Sequence, residues 1–285
     1  MSLRPGSFLA SMLGSGAAAL GLIFALGPVA GGAGGSLSLA SASAPVLDAN
    51  QSNNWSGYNL SALAAGTVFQ SVSGEWVVPT ASYRAGGPST ESSSSWVGIG
   101  GGCALPGCAI GDPTSLIQAG TEQDANKDGT TSYSAWWEIV PVPAVTVTSV
   151  AVHPGDLVRV SIFDTVPGLW NIALTDVTDG QGFTQTVPYP STMLTAEWIE
   201  EAPVTVSTGA PLSAGLSTLP NLSTAQFDSA TVNGKPAGLT PADEIDLIDG
   251  SGNVIASPSA PDVDTDGFNV CAYATSCPVP STELP

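Results

Sequence analysis

Between Asn53 and about Ala274 the chain alternates short apolar runs with polar breaks. Val68–Val72, Trp76–Val78, Val145–Val150 and Leu157–Ile162 are rich in β-branched and aromatic residues, and several carry the period-two alternation of a strand with one buried face. Gly, Pro, Asn and Asp interrupt the pattern every 8 to 15 residues, as in Pro154-Gly155-Asp156 and Thr178-Asp179-Gly180. No long stretch has helical periodicity, and Ala225–Ala230 and Pro241–Glu244 read at most as short turns. The pattern predicts one all-β domain over 53–277, a large antiparallel sandwich, followed by a loose tail at 278–285. The glycine run Gly98–Gly102 reads as a turn.

Composition narrows the setting. The 285 residues include 24 acids and five bases, a formal net charge of −19. Two lysines and three arginines cannot neutralise a run of phosphates, so nucleic acid is excluded as a partner. In acid most of these carboxyls would be neutral, and a chain with few ion pairs loses little when they protonate.

Residues 1–42 have the layout of an export signal. Arg4 opens it, an apolar stretch runs from Phe8 to Val29, and Ala40-Ser41-Ala42 fits a cleavage site. A retained membrane anchor is the alternative. With the signal cleaved, residues 43–52 would be a linker or propeptide remnant, and the product a secreted monomer without stable membrane association. Four cysteines fall into two close pairs, Cys103/Cys108 and Cys271/Cys277, which suit local disulfides in an oxidising compartment. A zinc site from all four thiolates is the alternative, but C-x2-C spacing is missing. No cofactor and no metal is expected.

With His153 as the only histidine, a Ser-His or Cys-His nucleophile would depend on a residue in a turn, protonated in acid. HExxH and P-loop patterns are missing. Six pieces occur in order instead: Asn54-Trp55-Ser56-Gly57-Tyr58, Gly74-Glu75-Trp76-Val77-Val78-Pro79, Trp96-Val97-Gly98-Ile99-Gly100, Leu116-Ile117-Gln118-Ala119-Gly120, Tyr133–Pro141 and Thr195-Ala196-Glu197-Trp198-Ile199-Glu200. This series resembles the glutamic peptidases, or eqolisins, over roughly residues 53 to 274. The resemblance implies two curved antiparallel sheets of about seven strands, concanavalin-like, with a concave groove for protein or peptide substrates. It places the catalytic glutamine on Gln118, the catalytic glutamate on Glu197, a groove tryptophan on Trp96 and a glutamate of the aromatic-rich strand on Glu138. Trp96, Glu138 and Trp136 are the candidate substrate-binding residues, with Glu138 read first as a buried, hydrogen-bonded carboxylate supporting the site. Adjacent residues on a strand face opposite sides, so one of Trp136 and Trp137 belongs to the core and the other to the groove.

The groups themselves permit such chemistry. A carboxylate near its ordinary pKa of about 4.3 can take a proton from water and later return it to a leaving amine. A glutamine amide can donate to the oxyanion. Two positions depart from the family pattern. Gly100 and Ser134 stand where it usually has aspartates, and Glu122 or Asp124 is the candidate to compensate. The rival readings are a glycosidase using Glu138 and Glu197, and a lectin-like binding domain without catalysis.

Overall fold

A computed structural model describes residues 50–84, 86–104, 115–207 and 213–284. The export-signal reading of 1–42 lies outside them. Strands dominate. In chain order the main ones are β1 (Trp55–Ser61), β2 (Ser71–Val77), β3 (Thr90–Gly100), β4 (Leu116–Asn126), β5 (Thr131–Ile139), β6 (Val145–Val147), β7 (Leu157–Val166), β8 (Leu169–Asp176), β9 (Gln181–Pro188), β10 (Thr195–Glu201), β11 (Ala225–Val232), β12 (Glu244–Ile248), β13 (Val254–Pro258) and β14 (Phe268–Ala272).

They follow one hydrogen-bonded path, β9-β8-β7-β2-β11-β14-β13-β12-β1-β10-β3-β4-β5-β6. The path turns a corner at β12. Glu244 and Ile245 pair with β1, whereas Leu247 and Ile248 pair with β13 across a register shift. The strands on either side of this corner form two antiparallel layers, a β-sandwich. One short parallel pairing, Gln51–Ser52 beside β12, draws the end of the expected linker into the sheet.

The layers meet through a large core containing Trp76, Trp170, Trp198, Phe227 and Phe268. Their polar atoms are matched across it. The Trp76 indole donates to Thr121 Oγ1 at 3.1 Å, and that of Trp198 to the Ser73 carbonyl at 2.8 Å. Buried tryptophans need such partners, because an unpaired indole N–H would forfeit part of what its area contributes.

Several sequence expectations are corrected. Ala225–Ala230 belongs to strand β11, because alternate residues enter the core and its backbone pairs with β2 and β14. The runs Val68–Val72 and Trp76–Val78 contribute to a single strand, β2. Gly98 to Gly100 continue β3, and the turn starts only at Gly101. The tail is hydrogen-bonded: Pro278 and Thr282 carbonyls accept from Asn269 and Gln226, and the Leu284 N–H donates to Asp228. Cys271 and Cys277 form the expected disulfide. Cys108 lies outside the described residues.

Candidate active site

Strand register brings the candidate residues into one row. Glu138 stands opposite Gln118, Gln118 opposite Gly98, Gly98 opposite Glu197, and Glu197 opposite Asn59. Directly opposed residues share a face, so this rung projects away from the main core on the outer side of the first layer. Gln118 and Glu197 are therefore two strands apart, about 10 Å between backbones, with no side chain between them. Gly98 keeps the gap open. A Cβ there would stand 2.9 Å from Cζ3 of Trp96, whose ring edge forms the floor.

The neighbouring rung supplies that floor. Trp136, Gly120, Trp96 and Ile199 follow one another across β5, β4, β3 and β10. Trp136, Trp96 and Ile199 join Trp55, Leu116, Val140 and Ile245 in a second hydrophobic cluster, separate from the main core. Trp136 thus lies on the site's face, and Trp137 packs at the edge of the inter-layer core. Trp55 and Trp96 meet edge to face, ring centroids 5.0 Å apart. The Trp96 indole donates to Glu201 at 2.8 Å and that of Trp136 to Ser94 at 3.0 Å. Trp96 and Trp136, expected to touch substrate, are both buried here.

Glu138 holds Gln118: its Oε2 accepts from Gln118 Nε2 at 2.6 Å. This fixes which end of the amide faces the carboxylate, and leaves Gln118 Oε1 buried with no partner. Glu197 is fully buried, and neither carboxyl oxygen has a partner of hydrogen-bonding geometry. Burial pushes its pKa well above the usual carboxylate range, offset only in part by the nearby Thr195 hydroxyl and Gly102 N–H. The expected ordinary pKa therefore does not hold, because no solvent or base compensates the charge.

The cover over Glu197 is the segment after β3. Gly102 donates to Thr195 Oγ1, and Asn59 Nδ2 donates to the Cys103 carbonyl at 3.1 Å. A Cβ on Gly102 would lie 1.8 Å from Asn59 Oδ1 and 2.5 Å from Glu197 Oε1, so only glycine fits. A cleft of about 490 Å³ opens beside this segment, lined by Asn59, Ser61, Cys103, Glu244 and Ile245 among others. Asn59 and Gly102 were not picked out as site residues from the sequence. Asn59 stands in Asn59-Leu60-Ser61, which by itself reads only as a glycosylation sequon, and its place at the site depends on pairing between β1 and β10.

The two departures acquire physical content. Gly100 has φ +93°, and a Cβ there would stand 2.0 Å from the Ser115 carbonyl oxygen, so an aspartate would not fit this backbone. Ser134 faces Glu122. Glu122 is pushed up to about 8 by burial and then by Asp124. Glu122 and Asp124 lie four and six residues along β4 from Gln118, about 14 and 20 Å, so neither replaces an acid beside the pair. Glu138 and Glu197 are three strands apart, about 14 Å between backbones, and Glu138 is committed to Gln118. That is a poor match to carboxyls flanking a glycosidic bond, which stand roughly 5–9.5 Å apart. His153 sits 61% exposed in the turn before β7, beside Asp156.

The sequence that forms this sandwich matches a known family. The model of the Peptidase A4 family matches residues 53–268. The chain belongs to the Peptidase A4 family. This A4 chain is 28% identical to aspergillopepsin-2 of Aspergillus niger over 170 residues, 53% of its own length and 56% of that protein's. It thus spans little more than half of that curated relative. Among solved structures, scytalido-glutamic peptidase with a transition-state analog inhibitor superposes with TM-score 0.58 at 21% identity, covering 77% of this chain and 98% of the other. Aspergilloglutamic peptidase from Aspergillus niger gives 0.50 at 26% identity, covering 64% and 99%. SCP-B, an eqolisin solved with the tripeptide Ala-Ile-His, gives 0.52 at 20%, covering 77% and 98%.

Proposed function

We propose that this chain is a secreted endopeptidase of acidic media that hydrolyses peptide bonds with Gln118 and Glu197. The observation carrying the proposal is the shared rung: an unpartnered carboxyl and an unpartnered amide oxygen flank a glycine gap on one face. Membership of the A4 family and the sandwich fold support it.

The chemistry follows from these atoms. Water entering the gap hydrates Glu197, removes part of the desolvation that raised its pKa, and lets it ionise. Gln118 Oε1 accepts one hydrogen from that water, and Glu197 takes the other as the oxygen attacks the scissile carbonyl. An amide has two N–H donors; one is engaged by Glu138, and the second is free for the oxyanion. Protonated Glu197 then gives its proton to the departing amine as the C–N bond breaks. Glu138 acts as a positioning residue, because the hydrogen bond its Oε2 accepts from Gln118 Nε2 holds the amide in this orientation.

The test is digestion of a denatured protein from acid to neutral pH, with pepstatin present, by wild type, Glu197→Gln and Gln118→Ala. Pepstatin-resistant cleavage confined to acid and lost in both variants supports the reading. Full activity in Gln118→Ala, or no cleavage by folded wild type at any pH, sinks it; the latter outcome favours a binding domain.

A further inference from the structure

The second layer carries a group of carboxyls that peptide hydrolysis does not use. Asp228 on β11, Asp262 and Asp266 in the loop before β14, and Glu283 in the C-terminal segment each place an oxygen within 4.8 Å of the others. The tail reaches them through its hydrogen bonds to Gln226, Asp228 and Asn269. Asp262 is only 8% exposed, and its Oδ2 has no partner of hydrogen-bonding geometry, with the Gly267 N–H acting on the carboxyl from nearby. Its other oxygen accepts from the Asp266 N–H at 3.2 Å. Oδ1 of Asp266 is likewise buried without a partner. No basic side chain is among the groups acting on Asp262, Asp266 or Glu283, whereas Asp264 acts on all three. An ionised carboxylate buried among like charges is strongly unfavourable unless a cation joins it.

The local sequence has the form such a cation requires. Asp262-Val263-Asp264-Thr265-Asp266-Gly267 is a D-x-D-x-D-G segment, the opening of a calcium-binding loop. Its glycine is needed here for closeness: a Cβ on Gly267 would stand 2.0 Å from Asp262 Oδ2. The distal glutamate that completes such loops in sequence is missing, since Tyr273 occupies that position. Asp228 and Glu283 bring carboxylates from other parts of the chain instead.

We propose that Asp228, Asp262, Asp266 and Glu283 bind one Ca²⁺ ion, which clamps the C-terminal segment to the second layer. Oxygens within 4.8 Å of one another can share a Ca²⁺ shell, about 4.6–5.2 Å across. An irregular set drawn from three chain segments suits Ca²⁺, which accepts six to eight oxygens in flexible geometry; Mg²⁺ demands a near-ideal octahedron. The ion supplies the positive charge that this part of the chain lacks.

Calorimetric titration of the purified protein with CaCl2 near neutral pH tests this, alongside thermal melting in EDTA, in millimolar CaCl2 and in millimolar MgCl2. Wild type should bind one Ca²⁺, and its Tm should rise by several degrees in Ca²⁺ relative to EDTA. Asp262→Asn should weaken binding by about tenfold or more. Glu283→Gln, at an exposed tail position, keeps the test open if the first variant folds poorly, and should also weaken it. Asp179→Asn, on the distant β8–β9 hairpin, should bind as wild type. Absence of a binding isotherm, equal Tm in EDTA and Ca²⁺, unchanged affinity in Glu283→Gln, or an equal response to Mg²⁺ would overturn the assignment.

Discussion

The two layers solve the same problem differently. In the second layer β7 and β8 alternate buried and exposed or half-exposed positions over much of their length, and β9 is exposed or half-exposed except at Val187, with polar side chains left near water. Its buried Glu75 is met by Arg159, whose Nε donates to it at 2.6 Å. In the first layer every residue of β10, and nearly every residue of β3 and β4, is buried. Both faces are covered, one by the inter-layer core and the other by the tryptophan cluster. Its carboxyls meet hydroxyls, indoles and amides and no base: Glu200 accepts from Ser95, and Glu201 from Trp96 and Asn54. A sheet with one wet face can spend its polar residues on solubility. Covering both faces makes each remaining polar group a chemical element of the interior.

The largest expected effect separates the layers by chemistry. Glu197→Gln should lower acid proteolysis by at least about 10²–10⁴-fold, as for loss of a general acid–base group. Gln118→Ala should lower it by roughly 10²–10³-fold, as for loss of an oxyanion donor. Rates of peptide cleavage measure both, and circular dichroism confirms that the variants fold.

The next effect is on stability against pH. Burial pushes Glu200 and Glu201 up to about 7 and Glu122 up to about 8. A folded pKa above the unfolded one means that the contribution is complete below the unfolded value, about 4.5. It is lost as pH rises through the folded values. Denaturant unfolding should therefore show the protein most stable in acid and losing up to roughly 3–5 kcal/mol per such group as pH rises past neutrality. Glu200→Gln should flatten that slope. A slope of opposite sign would show that the first layer's carboxyls are ionised in the fold.

Gly102→Ala should reduce activity more than it reduces stability, since the added methyl strikes Asn59 and Glu197 at the end of a strand. Comparing kcat with the unfolding midpoint checks this. The smallest effect belongs to the second layer. Arg159 is half exposed but its partner Glu75 is buried, so Arg159→Ala should cost about 1–3 kcal/mol and leave proteolysis unchanged.

Fold class was legible because alternation of β-branched and aromatic residues reports a strand with one buried face. Gln118 and Glu197 could be singled out as candidates because each sits in a distinctive apolar frame, Leu-Ile-Gln-Ala-Gly and Thr-Ala-Glu-Trp-Ile-Glu. Strand β11 was not, because Ala225-Gln226-Phe227-Asp228 has the composition of a turn and owes its state to pairing with β2 and β14. The altered acidity of Glu197 was equally hidden, for it depends on what lies above the side chain.

The amino-acid order alone determined the strand-rich class, the acidic balance and which residue types are candidates for the proposed chemistry, because these follow from local pattern and composition. Tertiary structure alone decided that Gly98 separates Gln118 from Glu197, that Glu138 orients the glutamine, and that Gly102 roofs the glutamate. It also gathered Asp228, Asp262, Asp266 and Glu283 from three segments. Register, burial and local dielectric arise from segments far apart in the chain, and no local pattern encodes them.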